Sequence, residues 1–331
     1  MTTYKKIYGQ NIQIVSSDPS NPTLGQIWYN TSTNKLKGFR ASAGGVWSTG
    51  TDMNTARSEL ATAGTYTASV VFGGRNAPGS PQFGGDITKA DKWNGSSWTL
   101  DSNSMNNTRA GLGGAGTQTA AVVFGGFSYP PYVVHSATEL YNGSSWTTAP
   151  NSLPSNYSLM GSFGTQTAAV SCGGNQSPIL DKTFIWNGSS WTASGDMNTG
   201  RHGMGCAGTQ TAGLIFSGNP DPTPITQATE KWNGSSWSNT GNFPTPGKHS
   251  LAGSGTQTSA LAFGGSPPPI ATNTDQFNGS TWSAKNNMGT ARYQLKGFGT
   301  TSTSLAVGGT LGGVSRTFVE DWTPEATVAI F

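Results

Sequence analysis

The chain has 331 residues and little charge: Lys, Arg, Asp and Glu make up only 10% of it, and the formal net charge is +3. Its longest basic run is Lys5-Lys6, so it lacks the clustered basic patch that nucleic-acid binding requires. Cysteine is scarce. Cys172 and Cys206 are the two in the chain, too few for a disulfide framework and wrongly spaced for metal ligands. Cys172 falls where sister segments place Phe or Val, which reads as a buried thiol. No segment approaches the roughly 18 consecutive apolar residues of a membrane span. The opening "MTTYKKIYGQNIQIV" has no apolar h-region, so neither membrane insertion nor signal-directed export is expected. A helical period is missing throughout. So are G-x-S-x-G, a Walker loop and H-E-x-x-H. These gaps argue against an enzyme and against a cofactor or a metal.

Glycine and aromatics are what the chain has instead: 47 Gly, 11 Trp, 14 Phe and 9 Tyr, although only 34% of residues are hydrophobic. Large aromatics bury much area each, so a core can form from few aliphatics. Glycine with abundant Ser, Thr and Asn favours short strands and tight turns, and the regular aromatic pattern argues against disorder.

Aligned on itself, the chain shows six repeats. An apolar strand ending in Gly-Gly recurs as "VVFGG" (Val70 to Gly74), "VVFGG" (Val122 to Gly126), "AVSCGG" (Ala169 to Gly174), "ALAFGG" (Ala260 to Gly265) and "LAVGG" (Leu305 to Gly309). A sixth copy, "LIFSG" (Leu214 to Gly218), has Ser at the first glycine. Each unit runs from a basic residue through a Gly-rich strand, a "GTQT"-type turn and the Gly-Gly strand to a variable loop. A strand ending in an aromatic follows, then a turn, then a strand opening with Trp. "WNGSSWT" at Trp93 to Thr99 is the fullest copy of that last hairpin, and Asn-Gly is a strong hairpin signal. "NGS" also reads as a glycosylation acceptor, but the turn explains its recurrence without one. Units of four short strands predict a β-propeller, all-β and six-bladed.

The order of basic residue, Gly-Gly, aromatic and Trp resembles the kelch repeat over roughly Trp47 to Trp322, with a shorter aromatic-to-Trp spacing than is common there. The sixth unit ends in "TFVEDW" (Thr317 to Trp322) and lacks its outer strand, whereas "GGVWSTG" (Gly44 to Gly50) is an outer strand with no unit before it. Trp47 is therefore expected beside Trp322, closing the ring and removing two exposed strand edges. Some kelch-like propellers are copper oxidases, and sialidase propellers carry an Asp-box. Neither the oxidase ligand set nor the box's Asp is present here. A polysaccharide-modifying or oxidase enzyme is the weakest reading of the resemblance.

Matching positions hold Arg57, Arg109, Tyr157, Arg201, Lys248 and Arg292 ahead of the turn, and Asp91, Glu139, Phe184, Glu230, Asp275 and Glu320 on the third strand. Only the third unit lacks the base, and only it lacks the acid. That joint loss predicts an ion pair inside each blade, base on the innermost strand and acid on the third. A second reading stays open: a ring of five charges, Arg57, Arg109, Arg201, Lys248 and Arg292, binding an anionic sugar or phosphate in the central channel. His202 and His249 share one repeat position in neighbouring units and read as channel-lining or hydrogen-bonded residues, too few for a metal site.

The "GTQT" and "NGSS" turns should share one face, nearly identical around the ring. The opposite face carries the variable loops after Gly-Gly, where recognition usually sits. Phe83, Phe127, Tyr129 and Tyr132 are candidate aromatic platforms for sugar rings, and His135 of the same loop joins them.

Residues 1 to 43 stand outside the repeats, with the propeller expected over 44 to 331. "GQIWYNTSTNKLKGF" (Gly25 to Phe39) reads as a hairpin around "TSTN" and resembles hairpin modules of tailed-phage fibre and virion proteins. The "GTQTA…FGG" units are similar to those of virion-associated proteins of marine phages. The resemblance implies a virion protein assembled in the host cytoplasm, in several copies per particle. It would attach to other virion proteins through residues 1 to 43 and bind a host surface glycan or a partner protein through its loops. Met1 to Thr23 would be an attachment arm ordered only on its partner. A purely architectural capsid or tail decoration is the alternative.

Overall fold

Two turn types cut each repeat into its strands. In the Asn-Gly turn the Asn94 side-chain oxygen accepts the Ser96 and Ser97 backbone N–H groups, both at 2.9 Å, and Gly95 takes a φ of +94°. The same turn recurs at Asn142, Asn187, Asn233 and Asn278. The "GTQT" turn sits beside it, since a Cβ on Gly143 would touch Thr119, and one on Gly188 would touch Thr167. The two invariant turns thus share a face, as expected.

The computed structural model describes residues 12–23, 25–76, 85–221, 224–244, 246–266 and 269–330, side chains at 40–44, 86 and 324–329 excepted. The described residues form strands and no helix. Blade 1 is an antiparallel sheet of Ala61–Gly64, Ser69–Phe72, Lys89–Trp93 and Trp98–Ser104, in that order outward. Blades 2 to 5 repeat this order over residues 113–148, 161–193, 205–240 and 252–285. Blade 6 takes Lys296–Gly299, Ser304–Val307 and Val319–Ile330 from the end of the chain and Lys35–Thr49 from its beginning. The six innermost strands pack in sequence order, and Lys296–Gly299 returns to Ala61–Gly64.

Ring closure follows the expectation. Trp47 lies 5.4 Å from Trp322 between ring centroids, and the Gly50 N–H donates to the Val319 carbonyl at 2.9 Å. Trp47 also donates its indole N–H to the Thr274 hydroxyl of blade 5 at 2.8 Å. Trp191, Trp237 and Trp282 make the same bond to Thr138, Thr183 and Thr229 of the blade before each. Trp47 is therefore the outer-strand Trp of blade 6 in its chemistry as well as its place.

The repeated motifs are fasteners between blades. The second glycine of each Gly-Gly strand donates its N–H to the carbonyl of the next blade's basic position. This bond runs from Gly74 to Arg109 (2.9 Å) and on round the ring to Gly309 and Arg57 (2.9 Å). The first glycine must be small and left-handed: Gly73 has a φ of +53°, and a Cβ there would lie 2.7 Å from the Arg109 carbonyl oxygen. Ser217 is the exception, at φ +56°. Its hydroxyl makes a 2.6 Å bond to the Lys248 carbonyl, which offsets the strain. The turn glutamines act likewise: Gln166 donates to the Ala121 and Tyr141 carbonyls of the preceding blade, at 3.0 and 2.7 Å.

The hydrophobic core divides into clusters, each shared by adjacent blades. The Phe that ends the Gly-Gly strand packs edge-on against the next blade's outer Trp, as Phe72 does on Trp146 at 5.0 Å and Phe124 on Trp191 at 4.7 Å. In blade 3 Cys172 takes the Phe position, and its thiol is fully buried.

Chain contacts group Val46–Thr323 as one compact unit, and Met1–Gly45 with Pro324–Phe331 as another. The repeat pattern instead counts 44 to 331 as the ring, so Gly44, Gly45 and the final eight residues fall differently. In the first unit Ile27–Asn30 pairs antiparallel with the chain from Lys35, around a turn at 31–34. The arm is not bare: Gln13–Val15 pairs in parallel with Trp28–Asn30. Asp18 accepts hydrogen bonds from the Trp28 indole (3.0 Å), the Asn30 amide (2.7 Å) and Lys37 Nζ (2.7 Å). Those three donors hold its carboxyl down at about 2. The expectation that residues up to Thr23 order only on a partner is thus corrected from Ile12 onward, because side-chain bonds within the unit hold that stretch.

Candidate functional site

The basic residues come first, because two readings of them were open. Arg57 pairs with Asp91 at 2.7 Å, Arg109 with Glu139 at 2.6 Å and Arg292 with Glu320 at 2.9 Å, and Arg201 with Glu230. All four arginine side chains are fully buried. Each guanidinium also reaches backbone carbonyls: Arg57 donates to the first glycine, Gly73, at 3.0 Å and to Lys89 at 2.8 Å. Burial pulls each arginine below its usual value, and its carboxylate opposes the fall. Lys248 differs. It makes no ion pair among the described residues, and its Nζ stands 5.9 Å over the Phe243 ring. Burial lowers Lys248 and raises Asp275, each opposing the other's shift.

The anion-binding ring is therefore corrected. Arg57, Arg109, Arg201, Lys248 and Arg292 line none of the cavities along the axis, and four of them are committed to carboxylates within their own blades. The base also sits ahead of the innermost strand rather than on it, since that strand begins only at Ala61 in blade 1.

The channel itself is closely built. Its cavities hold about 40, 50 and 160 Å³. At one level six backbone groups form a closed circle of hydrogen bonds, each N–H donating to the blade before it. Glu59 donates to Gln294 (3.0 Å), Gln294 to Ser250 (2.7 Å) and Ser250 to Gly203 (2.6 Å). Gly203 then donates to Leu159 (2.9 Å), Leu159 to Gly111 (2.7 Å) and Gly111 back to Glu59 (2.8 Å). All six residues are left-handed, with φ between 54° and 61°. The repeat alignment does not reveal this circle, because six positions share a conformation without sharing a residue type.

His202 and His249 lie next in the repeat and pair through the backbone with Asn219 and Ser266. Burial draws both below the ordinary histidine value. For His202 the nearby His249 adds to the fall, and Asp221 opposes it. The His249 ring Nδ1 lies 3.0 Å from the Ser250 hydroxyl. Among the described residues no three His, Cys, Asp or Glu side chains converge as a metal site would need.

On the variable-loop face, Phe127–Ser128 pairs with Val133–Val134 in a small hairpin. Phe127 is buried under it rather than offered to solvent. Tyr132 leans on Phe127 at 5.4 Å, and the Arg75 guanidinium lies 4.9 Å from the Phe127 centroid and 5.8 Å from that of Tyr129. The His135 Nε2 is 2.9 Å from the Ser128 hydroxyl and pins the hairpin. Phe83 lies outside the described residues. Of the sequence candidates, Tyr132 presents its ring outward, 56% exposed.

Tyr132 borders the largest opening described, a cleft of about 530 Å³. Val134 lies beside it, Asn156, Asn175, Gln176, Ser177, Pro178 and Ile179 come from blade 3, and Asp221 comes from the loop of blade 4. The cleft falls within the range of roughly 300–1,000 Å³ typical of small-ligand sites, and the axial cavities do not. No single-repeat signal marks it, because it is assembled from loops of three blades.

No protein-family model matches the chain, and no curated protein sequence matches it. Among solved structures it is similar to the structure of YjhT, at a TM-score of 0.69 and 14% identity, over 84% of this chain and 98% of that one. At such identity the likeness bears on fold alone, and with the closed ring of four-stranded sheets it makes the chain a β-propeller.

Proposed function

We propose that the chain is a structural and host-recognition protein of a phage virion, which binds a surface glycan through its variable-loop face and performs no chemistry. The observation that carries this reading is the contrast between the two faces of the ring. The turn face is built of bonded Asn-Gly and "GTQT" turns, whereas the loop face opens a cleft beside an exposed tyrosine. A rigid scaffold that varies only in its loops suits recognition. The hairpin "GQIWYNTSTNKLKGF", with its likeness to virion modules, gives residues 1 to 43 the role of attachment to other virion proteins, with several copies on a particle.

A purely architectural role is favoured by one different observation. Ile12 and Ile14 are 40% and 73% exposed beside the edge strand Gln13–Val15, and an open edge can add a strand from a partner. Two experiments separate the readings. Residues 1 to 43 are deleted, and incorporation into particles is measured. A ring that still incorporates refutes the attachment role. The intact protein is also tested against host cells and a glycan array, and the absence of binding to both leaves the architectural role standing alone.

A further inference from the structure

We propose that the cleft beside Tyr132 takes an uncharged saccharide, one whose vicinal hydroxyls meet amide side chains while its C–H face lies on the tyrosine ring. The inference rests on the glycan-binding reading above and narrows it to one chemical class.

Charge decides the class. Among the described residues that line the cleft, Asp221 is the one acidic or basic side chain. A sialylated, uronic or sulfated sugar would meet that carboxylate and no cation among the described lining residues. Four arginines of the chain are committed inside their own blades, to Asp91, Glu139, Glu230 and Glu320, and Arg75, which lies against Phe127 and Tyr129, is not among the lining residues. An anion held beside a like charge with no opposite charge to offset it is disfavoured.

Hydrogen-bonding capacity points the same way. Many amides elsewhere are in use: the Asn-Gly turn asparagines close their own turns, and Gln118, Gln166, Gln210 and Gln257 clamp preceding blades. Asn156, Asn175 and Gln176 border the cleft, and their side chains make no hydrogen bond among the described residues. Each carries both donor and acceptor atoms, which suits a hydroxyl that both gives and receives. Asp221 adds an acceptor for a pair of hydroxyls.

The aromatic wall is pre-set. Tyr132 is propped from below by Phe127 at 5.4 Å, and the His135–Ser128 contact holds the hairpin that carries it. An exposed ring held this way offers a flat apolar face at little conformational cost.

The test uses the full-length protein on an array pairing each neutral glycan with its sialylated and sulfated counterparts. Binding is then measured by calorimetry for the wild type, Tyr132→Ala, Asn175→Ala and Asp221→Asn. We expect binding to neutral glycans, a loss of about tenfold with Tyr132→Ala and weaker binding with each polar variant. The melting temperatures of Tyr132→Ala and Asp221→Asn should be unchanged, because both residues are exposed. Preference for the acidic counterparts would overturn the charge class and leave glycan binding intact. Undiminished neutral binding by Tyr132→Ala would overturn the cleft as its place. No binding to any glycan would overturn this inference together with the reading beneath it.

Discussion

Tyr157 stacks on Phe184 with ring centroids 5.8 Å apart, at the two positions where four other blades set an arginine against a carboxylate. The third blade has exchanged both members of a buried ion pair for aromatic contact. Ion pairs in such places are often replaceable as pairs and costly to halve, because one charge alone is left buried.

Glu139→Phe alone should therefore cost blade 2 about 3–5 kcal/mol, with Arg109 stranded. Arg109→Tyr combined with Glu139→Phe should cost less than that single change. It will not be neutral: Glu139 also accepts the Asn106 N–H at 2.7 Å and the Asn107 amide at 3.2 Å. Chemical denaturation of the two variants decides it, and a double variant less stable than the single one would refute the exchange.

Trp146 carries a buried indole N–H with no hydrogen-bond partner among the described residues. The next blades give the same nitrogen a threonine hydroxyl, but blade 1 has Ala90 at that register, one residue before Asp91. Ala90→Thr should supply the acceptor and raise stability by about 1 kcal/mol, read as a higher melting temperature. Unchanged or lower stability would mean that the hydroxyl does not reach.

Trp47→Ala removes the Thr274 bond and the contacts with Phe263 (4.8 Å) and Trp322. The expected loss is about 3 kcal/mol. The seam should also open first, so hydrogen exchange ought to quicken in Val319–Ile330 before the other third strands. Uniform quickening around the ring would contradict this.

Stability should fall with acid in a defined window. Burial holds His202 and His249 below the ordinary histidine value of about 6.5. Their contribution is therefore complete above that value. It is lost as pH drops through the folded-state values, because the unfolded chain takes up protons first. Replacing both with Gln should flatten the dependence of melting temperature on pH below about 6.5. A slope unchanged by the double variant would place its origin elsewhere.

Much of the ring was legible because its parts are chemically obligatory. Asn-Gly marks a turn, Gly-Gly marks a place where another blade's carbonyl comes too close for a Cβ, and paired losses at Tyr157 and Phe184 mark a contact. Even the closure at Trp47 could be read as a strand missing after Trp322. What escaped had no residue-type signal. Glu59, Leu159 and Gln294 adopt the same left-handed turn as Gly111 and Gly203 because the hydrogen-bonded circle imposes it, not because propensity invites it. The cleft escaped for another reason, since Tyr132, Asn175 and Asp221 meet only once three blades are in place. Phe127 was misjudged because composition cannot tell an exposed ring from one beneath a hairpin.

Closure by Trp47 also has a consequence in time. Trp47 leaves the ribosome well before its partner Thr274, which lies 227 residues further along. At roughly 5–20 residues per second, its strand waits on the order of tens of seconds with its edge unpaired and its indole uncovered. Blades 1 to 5 can form meanwhile, each on its own hairpins, but the circle cannot shut. Newly made chains are thus most open to mispairing with one another at the seam, and a nascent chain stalled before blade 5 should aggregate through that strand.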